Sequence, residues 1–333
     1  MRAFRTLLVA CLALGVSVGA AAAQDKVTIT TPTKTVSFGP VFLPLDTGGY
    51  KKRNIEASIV VLTGGMPAIS AVLGGDAQFT VVADDELLKV ADSGKMIRIH
   101  NFVNSFTQNF QVRNPILAER KVSLTEPWRE RVKKLKGITV GVLGLGGSSD
   151  LSGRWLWREA GLDPVNDMKI QRVGALPSLI ASLKEGTADG FMLSAPAGQI
   201  VEAQGTGKIT VGWNEVAEWR DEPFLGLDTR KDLIASNRGL VKRVVEAVAE
   251  AQKQIYDDPE GTAAILAKGS FTGTDPKLIS ASLVQMREAY RAAKMTAAGW
   301  ERVQKTRLAM DAKAAATVPV NEGGIWTNEF FPQ

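Results

Sequence analysis

Cysteine and histidine are almost missing from this chain: Cys11 and His100 stand alone among 333 residues. Cys11 lies in the N-terminal apolar stretch, so the remainder has no thiol and can build neither a disulfide framework nor a thiolate metal site. A lone histidine also excludes a histidine-based metal centre. No metal and no cofactor is expected. His100 lies on an apolar run and reads as a core or edge histidine. Beyond the N-terminus there is no apolar run long enough to span a bilayer. An excess of one charge is missing too: 40 Lys and Arg face 35 Asp and Glu, a net +5. The basic clusters Lys51–Arg53 and Arg129–Lys136 read as solvated helix ends. Nothing has the basic-plus-aromatic layout of a nucleic-acid surface.

What is present begins with an export signal. Arg2 and Arg5 precede the apolar run Leu7–Val18, and Ala21-Ala22-Ala23 supplies small residues for cleavage. Residues 1–23 are therefore read as a signal peptide, with the mature chain starting at Gln24. Leu8-Val9-Ala10-Cys11 also resembles a lipoprotein box, which leaves lipidation of Cys11 as an alternative. Export without disulfides fits a periplasmic protein folding on a large core.

One segment occurs twice. Pro67-Ala68-Ile69-Ser70-Ala71-Val72-Leu73-Gly74-Gly75-Asp76-Ala77-Gln78-Phe79 matches Pro177 to Phe191, with proline and leucine 110 positions apart. Each copy reads as a short helix with Pro in its first turn, an apolar stripe, a Gly stop and entry into a strand. Two copies of one βαβ-type unit predict two α/β lobes and a cleft between them.

The surrounding pattern agrees. Val27–Thr31, Ile55–Leu62, Gln78–Val82 and Ile97–Val103 read as strands, and helices are expected at 40–50 and 67–73. Gly137–Val142, Ile170–Val173 and Gly190–Leu193 are strands of the second unit, with helices at 148–160 and after Pro177; Val201–Gly207 and Ile209–Trp213 complete it. After a strand at Leu225–Thr229 come amphipathic helices at 239–257, 261–268, 276–294 and 297–314. The fold class is α/β, with a mostly parallel sheet in each lobe. Lobe one is expected at 24–112 and 224–333, its C-terminal helices packing on it, and lobe two is an insertion at 113–223.

Gly144-Leu145-Gly146-Gly147-Ser148-Ser149-Asp150 follows a strand and opens a helix. Its glycines admit close backbone approach, and free N–H groups at a helix start favour an anion. Ser149 stands where a dinucleotide fingerprint needs its third Gly, which excludes that reading. Ser148 and Ser194 lie outside any Gly-x-Ser-x-Gly elbow, and no enzyme is expected. Of Asp84-Asp85, one is expected to cap a helix; the other reads first as solvent-facing, with the alternative that it faces the cleft and selects a cationic or amine group. Trp213 and Trp219 near the second crossing are candidates for stacking on a ligand or for burial at the junction.

The order Pro44–Arg53, Gly64-Gly65, Ala71–Asp76 and Leu135–Val142 resembles the periplasmic substrate-binding proteins of ABC importers. Within them it is closest to the sulfonate, taurine and nitrate binders and the thiamine-pyrimidine-precursor (NMT1/THI5-like) group. The family's "Gly-x-Phe-x-Lys-x-Gly-Leu-x-Val" segment reads here Gly48-Gly49-Tyr50-Lys51-Lys52-Arg53-Asn54-Ile55-Glu56-Ala57, with Asn54 in place of a Gly and able to turn left-handed. Its "Leu-x-x-Gly-x-x-Asp" segment appears at Leu183, Gly186 and Asp189, while Gln78 stands for Asp in the first copy. The resemblance implies a type II periplasmic binding protein fold, a small and anionic organic ligand (sulfonate, carboxylate or related), and an ABC permease and ATPase as membrane partners of a monomer. The alternatives are a pyrimidine-precursor binder or enzyme on the same scaffold, and a receptor presenting its ligand to a membrane sensor. The enzymes of the wider group rely on histidine. The family's Ser/Thr-rich loop maps onto Gly147, Ser148 and Ser149. Asp150 departs from the pattern there and argues against a simple sulfonate or nitrate. Other expected ligand contacts at strand ends are Ser37, Phe38, Gly64, Gly65, Met66, Ala83 and Asp84 from lobe one and Ala175, Ser194 and Pro196 from lobe two.

Overall fold

In the computed structural model, residues 23–311 and 318–332 are described. The expected signal segment up to residue 22, Cys11 and the end of the last expected helix lie outside these residues. The alternating run at the start forms β1 (Asp25–Thr31), with Val27 and Ile29 buried. A 3-10 turn at Val36–Phe38 leads into α1 (Gly39–Asp46). This helix ends before Tyr50 because Gly48 takes a left-handed φ of 72°. Asn54 makes the left-handed turn expected of it, at φ 57°, and starts β2 (Ile55–Val61). The first repeat copy is α2 (Gly65–Gly74) and β3 (Phe79–Ala83). Then come α3 (Asp84–Leu88) and β4 (Met96–Val103).

The chain next runs through β5 (Gln108–Arg113), α4 (Asn114–Glu119), α5 (Trp128–Lys134), β6 (Thr139–Val142), α6 (Ser148–Glu159) and β7 (Lys169–Arg172). The second repeat copy is α7 (Leu176–Glu185) and β8 (Gly190–Ser194). Residue Val201 belongs to α8 (Ala197–Ala203), and β9 (Gly207–Val211) follows. The return is β10 (Leu225–Arg230), α9 (Lys231–Ser236), α10 (Arg238–Asp257), α11 (Pro259–Lys268), α12 (Pro276–Met286) and α13 (Ala297–Lys305). The helix expected over 276–294 stops at Met286 because later carbonyls bond elsewhere: Ala289 O accepts from Asn104 N–H and Tyr290 O from Gln252 Nε2.

Two five-stranded sheets result, ordered β2-β1-β3-β10-β4 and β7-β6-β8-β5-β9. The orders are equivalent: β6, β7, β8 and β9 take the places of β1, β2, β3 and β4. The fourth strand in each sheet, β10 or β5, is antiparallel to both neighbours and is the first strand after a crossing between sheets. The chain therefore enters the second sheet at Gln108, ahead of the expected boundary at 113. The two crossings are held together: Phe106 N–H donates to Trp219 O at 2.8 Å, and the Phe106 ring packs edge-on against Trp219 and Phe224 at 4.7 and 4.6 Å. The amphipathic α10 packs on α1 and β4 of lobe one, as expected of the C-terminal helices. The same segment also reaches lobe two, where Gln199 on α8 donates to Gln285 on α12 at 2.6 Å.

Candidate functional site

The parallel strands of both sheets end toward one gap. The segments after β1, β2 and β6 and the last residues of β3, β7 and β8 border it, together with the first residues of the antiparallel β5 and β10. They enclose a cavity of about 310 Å³. This is where open α/β sheets bind ligands, because connecting loops there diverge and leave a crevice. From lobe one, Ser37, Phe38, Gly64, Gly65, Met66 and Ala83 line it, and from lobe two Gly147, Ser148, Ser149 and Ser194. Phe38 and Met66 supply apolar wall, with Leu143, Leu145, Leu193, Phe224 and Leu225.

Most hydroxyls here are already committed. Ser37 Oγ and Thr35 Oγ1 are 2.6 Å apart, Ser194 Oγ and Thr107 Oγ1 3.4 Å apart, and Ser149 Oγ accepts Leu143 N–H at 3.3 Å. Ser148 differs. It is 6% exposed, lies in the first turn of the twelve-residue α6, and its Oγ has no hydrogen-bond partner among the described residues. A buried orphan hydroxyl costs stability unless something meets it. It sits at a helix start, where the backbone N–H groups and the helix dipole prefer negative charge. Asp150, in the same first turn, does not oppose this. Its Oδ2 accepts Gly146 N–H and its Oδ1 accepts Arg154 Nε, each at 2.7 Å, and it does not line the cavity. The argument from Asp150 against a simple anion is thereby corrected.

Charge enters the cavity at two residues that sequence reasoning missed, Glu86 and Arg172. Arg172 ends β7, is exposed, and forms no ion pair among the described residues. Glu86 on α3 is 6% exposed, and burial together with the Asp85 charge pushes its carboxyl up to about 7, against the pull of Lys89 and of the Ala83 and Gly65 N–H groups. Lys89 crosses the gap: its ammonium donates to Gly146 O of lobe two and pairs with Asp311 at 2.9 Å.

Residues 33–269 match the NMT1-like family. The chain belongs to that family. It is 28% identical over 118 residues to the nitrate/nitrite binding protein NrtA of Nostoc sp. PCC 7120, a match covering 35% of this chain and 26% of the relative's length. Among solved structures, a protein from Bordetella bronchiseptica RB50 superposes with a TM-score of 0.77 at 21% identity, over 93% of this chain and 96% of its own. The alkanesulfonate-binding protein SsuA from Xanthomonas axonopodis pv. citri gives 0.67 at 14%, over 87% and 94%. The architecture is the two-lobed type II periplasmic binding protein fold.

Three expected contacts of this NMT1-like chain lie elsewhere. Asp84 and Asp85 do not cap α3; Ala83 holds the N-cap position, and both acids are fully buried in the first turn. The Asp84 carboxylate pairs with Arg307, which also meets Glu222 and, at 3.3 Å, Asp85. Burial lifts Asp84 and Glu222 above their usual range, and Arg307 offsets it. Ala175 and Pro196 hold the N-cap positions of α7 and α8, outside the cavity wall. Trp213 and Trp219 are buried in the core, Trp219 against Phe106. His100 is buried, with Nε2 2.9 Å from Gln252 Oε1.

Proposed function

We propose that this protein is the periplasmic solute-binding component of an ABC importer, capturing a small organic anion in the interlobe cleft and delivering it to a permease. One observation carries the reading: the unpartnered Ser148 Oγ at the start of α6, in a cavity walled by both lobes. An anion there accepts from Ser148 and the N–H groups of the helix start, with Arg172 as countercharge. The lobe-one walls touch it only when the lobes are together, so the ligand favours the closed arrangement by its differential contacts. The signal-like residues 1–23, the family and the names of its relatives support export and transport. A binding role without turnover is supported by the place of the one histidine: His100 bonds to Gln252 and does not line the cavity that holds Ser148.

Ser148→Ala tests this. Isothermal titration against nitrate, alkanesulfonates and short carboxylates should show affinity for the best of them falling about ten- to a hundredfold, the worth of a hydrogen bond to a charged group. The melting temperature without ligand should stay nearly constant, since Ser148 Oγ has no hydrogen-bond partner among the described residues. Unchanged affinity removes the loop from the site.

A further inference from the structure

The cavity wall holds one carboxyl group, and the fold does not use it up. Glu86 Oε2 accepts Ala83 N–H at 3.3 Å, and Gly65 N–H also donates to this carboxyl. The contact with Gly65 is so close that a Cβ there would lie 1.9 Å from Oε2. Glu86 therefore fills the start of α2, whose own N-cap, Gly64, offers no side chain. Its Oε1 faces the other lobe, 3.4 Å from where a Cβ on Gly147 would sit. A carboxylate accepts about four hydrogen bonds. Two backbone donors leave capacity over, and among the described residues no side-chain donor is bonded to it. Asp85 adds like charge from the same helix, and Lys89 is committed to Gly146 O and Asp311.

We propose that Glu86 selects ligands carrying an N–H donor within a few bonds of their acidic group, the acid resting on Ser148 and the α6 start and the donor on Glu86. This rests on reading the cleft as an organic-anion site. Gly147 is the N-cap of α6, so Glu86 reaches to within a few ångströms of the anion position. A bare anion there is repelled by the Glu86 charge. An amino or amido group adjacent to the acid places a donor in that space and satisfies both. A role limited to capping α2 needs only an acceptor oxygen, which glutamine retains; selection needs the charge.

The test uses the mature chain and two matched pairs, 3-aminopropionate against propionate and 2-aminoethanesulfonate against ethanesulfonate, by isothermal titration at about pH 8, where Glu86, pushed up to about 7, is ionised. In the unsubstituted protein the amino member of at least one pair should bind about tenfold tighter or better. Glu86→Gln should bring the pair within about threefold, whereas Ser148→Ala should weaken both members and leave their ratio standing. Equal affinities in the unsubstituted protein, or a ratio that survives Glu86→Gln, overturn the role of Glu86 and leave the anion cleft intact. Absence of binding by all four compounds overturns the anion cleft and this selection with it. The comparison within each pair needs no variant, so it stands even if Glu86→Gln misfolds.

Discussion

Lobe one and lobe two share a strand order, yet they treat the helix starts at the cavity oppositely. In lobe one the start of α2 is filled by Glu86, and Asp84 and Asp85 beside it are gathered with Glu222 around Arg307. In lobe two the start of α6 keeps Ser148 Oγ unpartnered, while Asp150 is satisfied locally by Gly146 and Arg154. The contrast teaches how one scaffold separates framework from recognition. Lobe one fills its helix start with its own Glu86 and neutralises Asp84 with a counterion from more than two hundred residues away. Lobe two satisfies Asp150 from within the same loop and helix and holds one hydroxyl back.

The strongest way to break that contrast is to remove the imported counterion. Arg307 is fully buried, stacks on Phe106 at 4.1 Å, and touches carboxylates from α3 and from the second crossing. Arg307→Met leaves those acids buried and unpaired, an expected loss of about 3–5 kcal/mol in urea unfolding. Arg154→Met in lobe two removes a pair whose arginine is 25% exposed and leaves Asp150 its Gly146 N–H. Its cost should be about 1 kcal/mol or less. Equal losses would abolish the distinction between imported and local neutralisation.

A second difference is titratable. The one histidine belongs to lobe one, where burial on β4 pushes it down to about 4. An unfolded histidine titrates near 6.5, so between pH 6.5 and 4 the unfolded chain takes the proton and the folded one does not. Stability contributed by His100 is full above about 6.5 and is lost as pH falls through 4, by about 3 kcal/mol. Glu86 and Asp228, raised to about 7 and about 6 by burial, act with the opposite sign, gaining stability as they are protonated. The measurement is therefore the difference in unfolding free energy between the unsubstituted chain and His100→Gln across pH 4–7. A flat difference curve refutes the assignment.

The framework was readable because it rests on local rules. Pro in the first turn and a left-handed Gly at the end delimit α2 and α7, whose Gly75 and Gly186 take φ of 91° and 77°. Asn54 turned as its side chain permits. The site was half readable. Strand ends pointed to Phe38, Gly64 and Ser148 without help from packing. The acidic turn Asp84-Asp85-Glu86 was visible, but successive helical residues point about 100° apart, so Asp84 and Glu86 face nearly opposite ways. Which one meets the cavity is set by Arg307, a partner no local pattern connects to α3. Gln108, Phe224 and Leu225 were missed because the reversal of β5 and β10 leaves no mark on their residues. Only the pairing in the sheet reveals that these strands begin at the cleft.

The finest comparison lies inside the repeat. Just ahead of β3, Gln78 Oε1 accepts the N–H of Thr28 on β1 at 2.8 Å. Just ahead of β8, Asp189 Oδ2 accepts the N–H of Thr139 on β6 at 2.9 Å. β1 and β6 hold the same place in their sheets, so the glutamine does in one lobe what the aspartate does in the other. Asp189 adds a fork: its Oδ1 takes Arg113 Nε and Nη2 at 2.9 and 2.8 Å. That pair is 24% and 18% exposed, so it is worth no more than about 1 kcal/mol. Gln78→Ala should cost about 1 kcal/mol, the net value of one hydrogen bond, and be indifferent to salt. Asp189→Ala should cost about 1 kcal/mol more, and Asp189→Asn, which keeps the acceptor for Thr139, only that extra part. Molar salt should shrink most of the Asp189→Asn effect and only the same part of the Asp189→Ala effect, leaving Gln78→Ala as it was, because screening acts on the pair and not on the shared strand contact. If Asp189→Asn proves as costly as Asp189→Ala, the two positions are not equivalent, and the repeat is one of shape without a common bond.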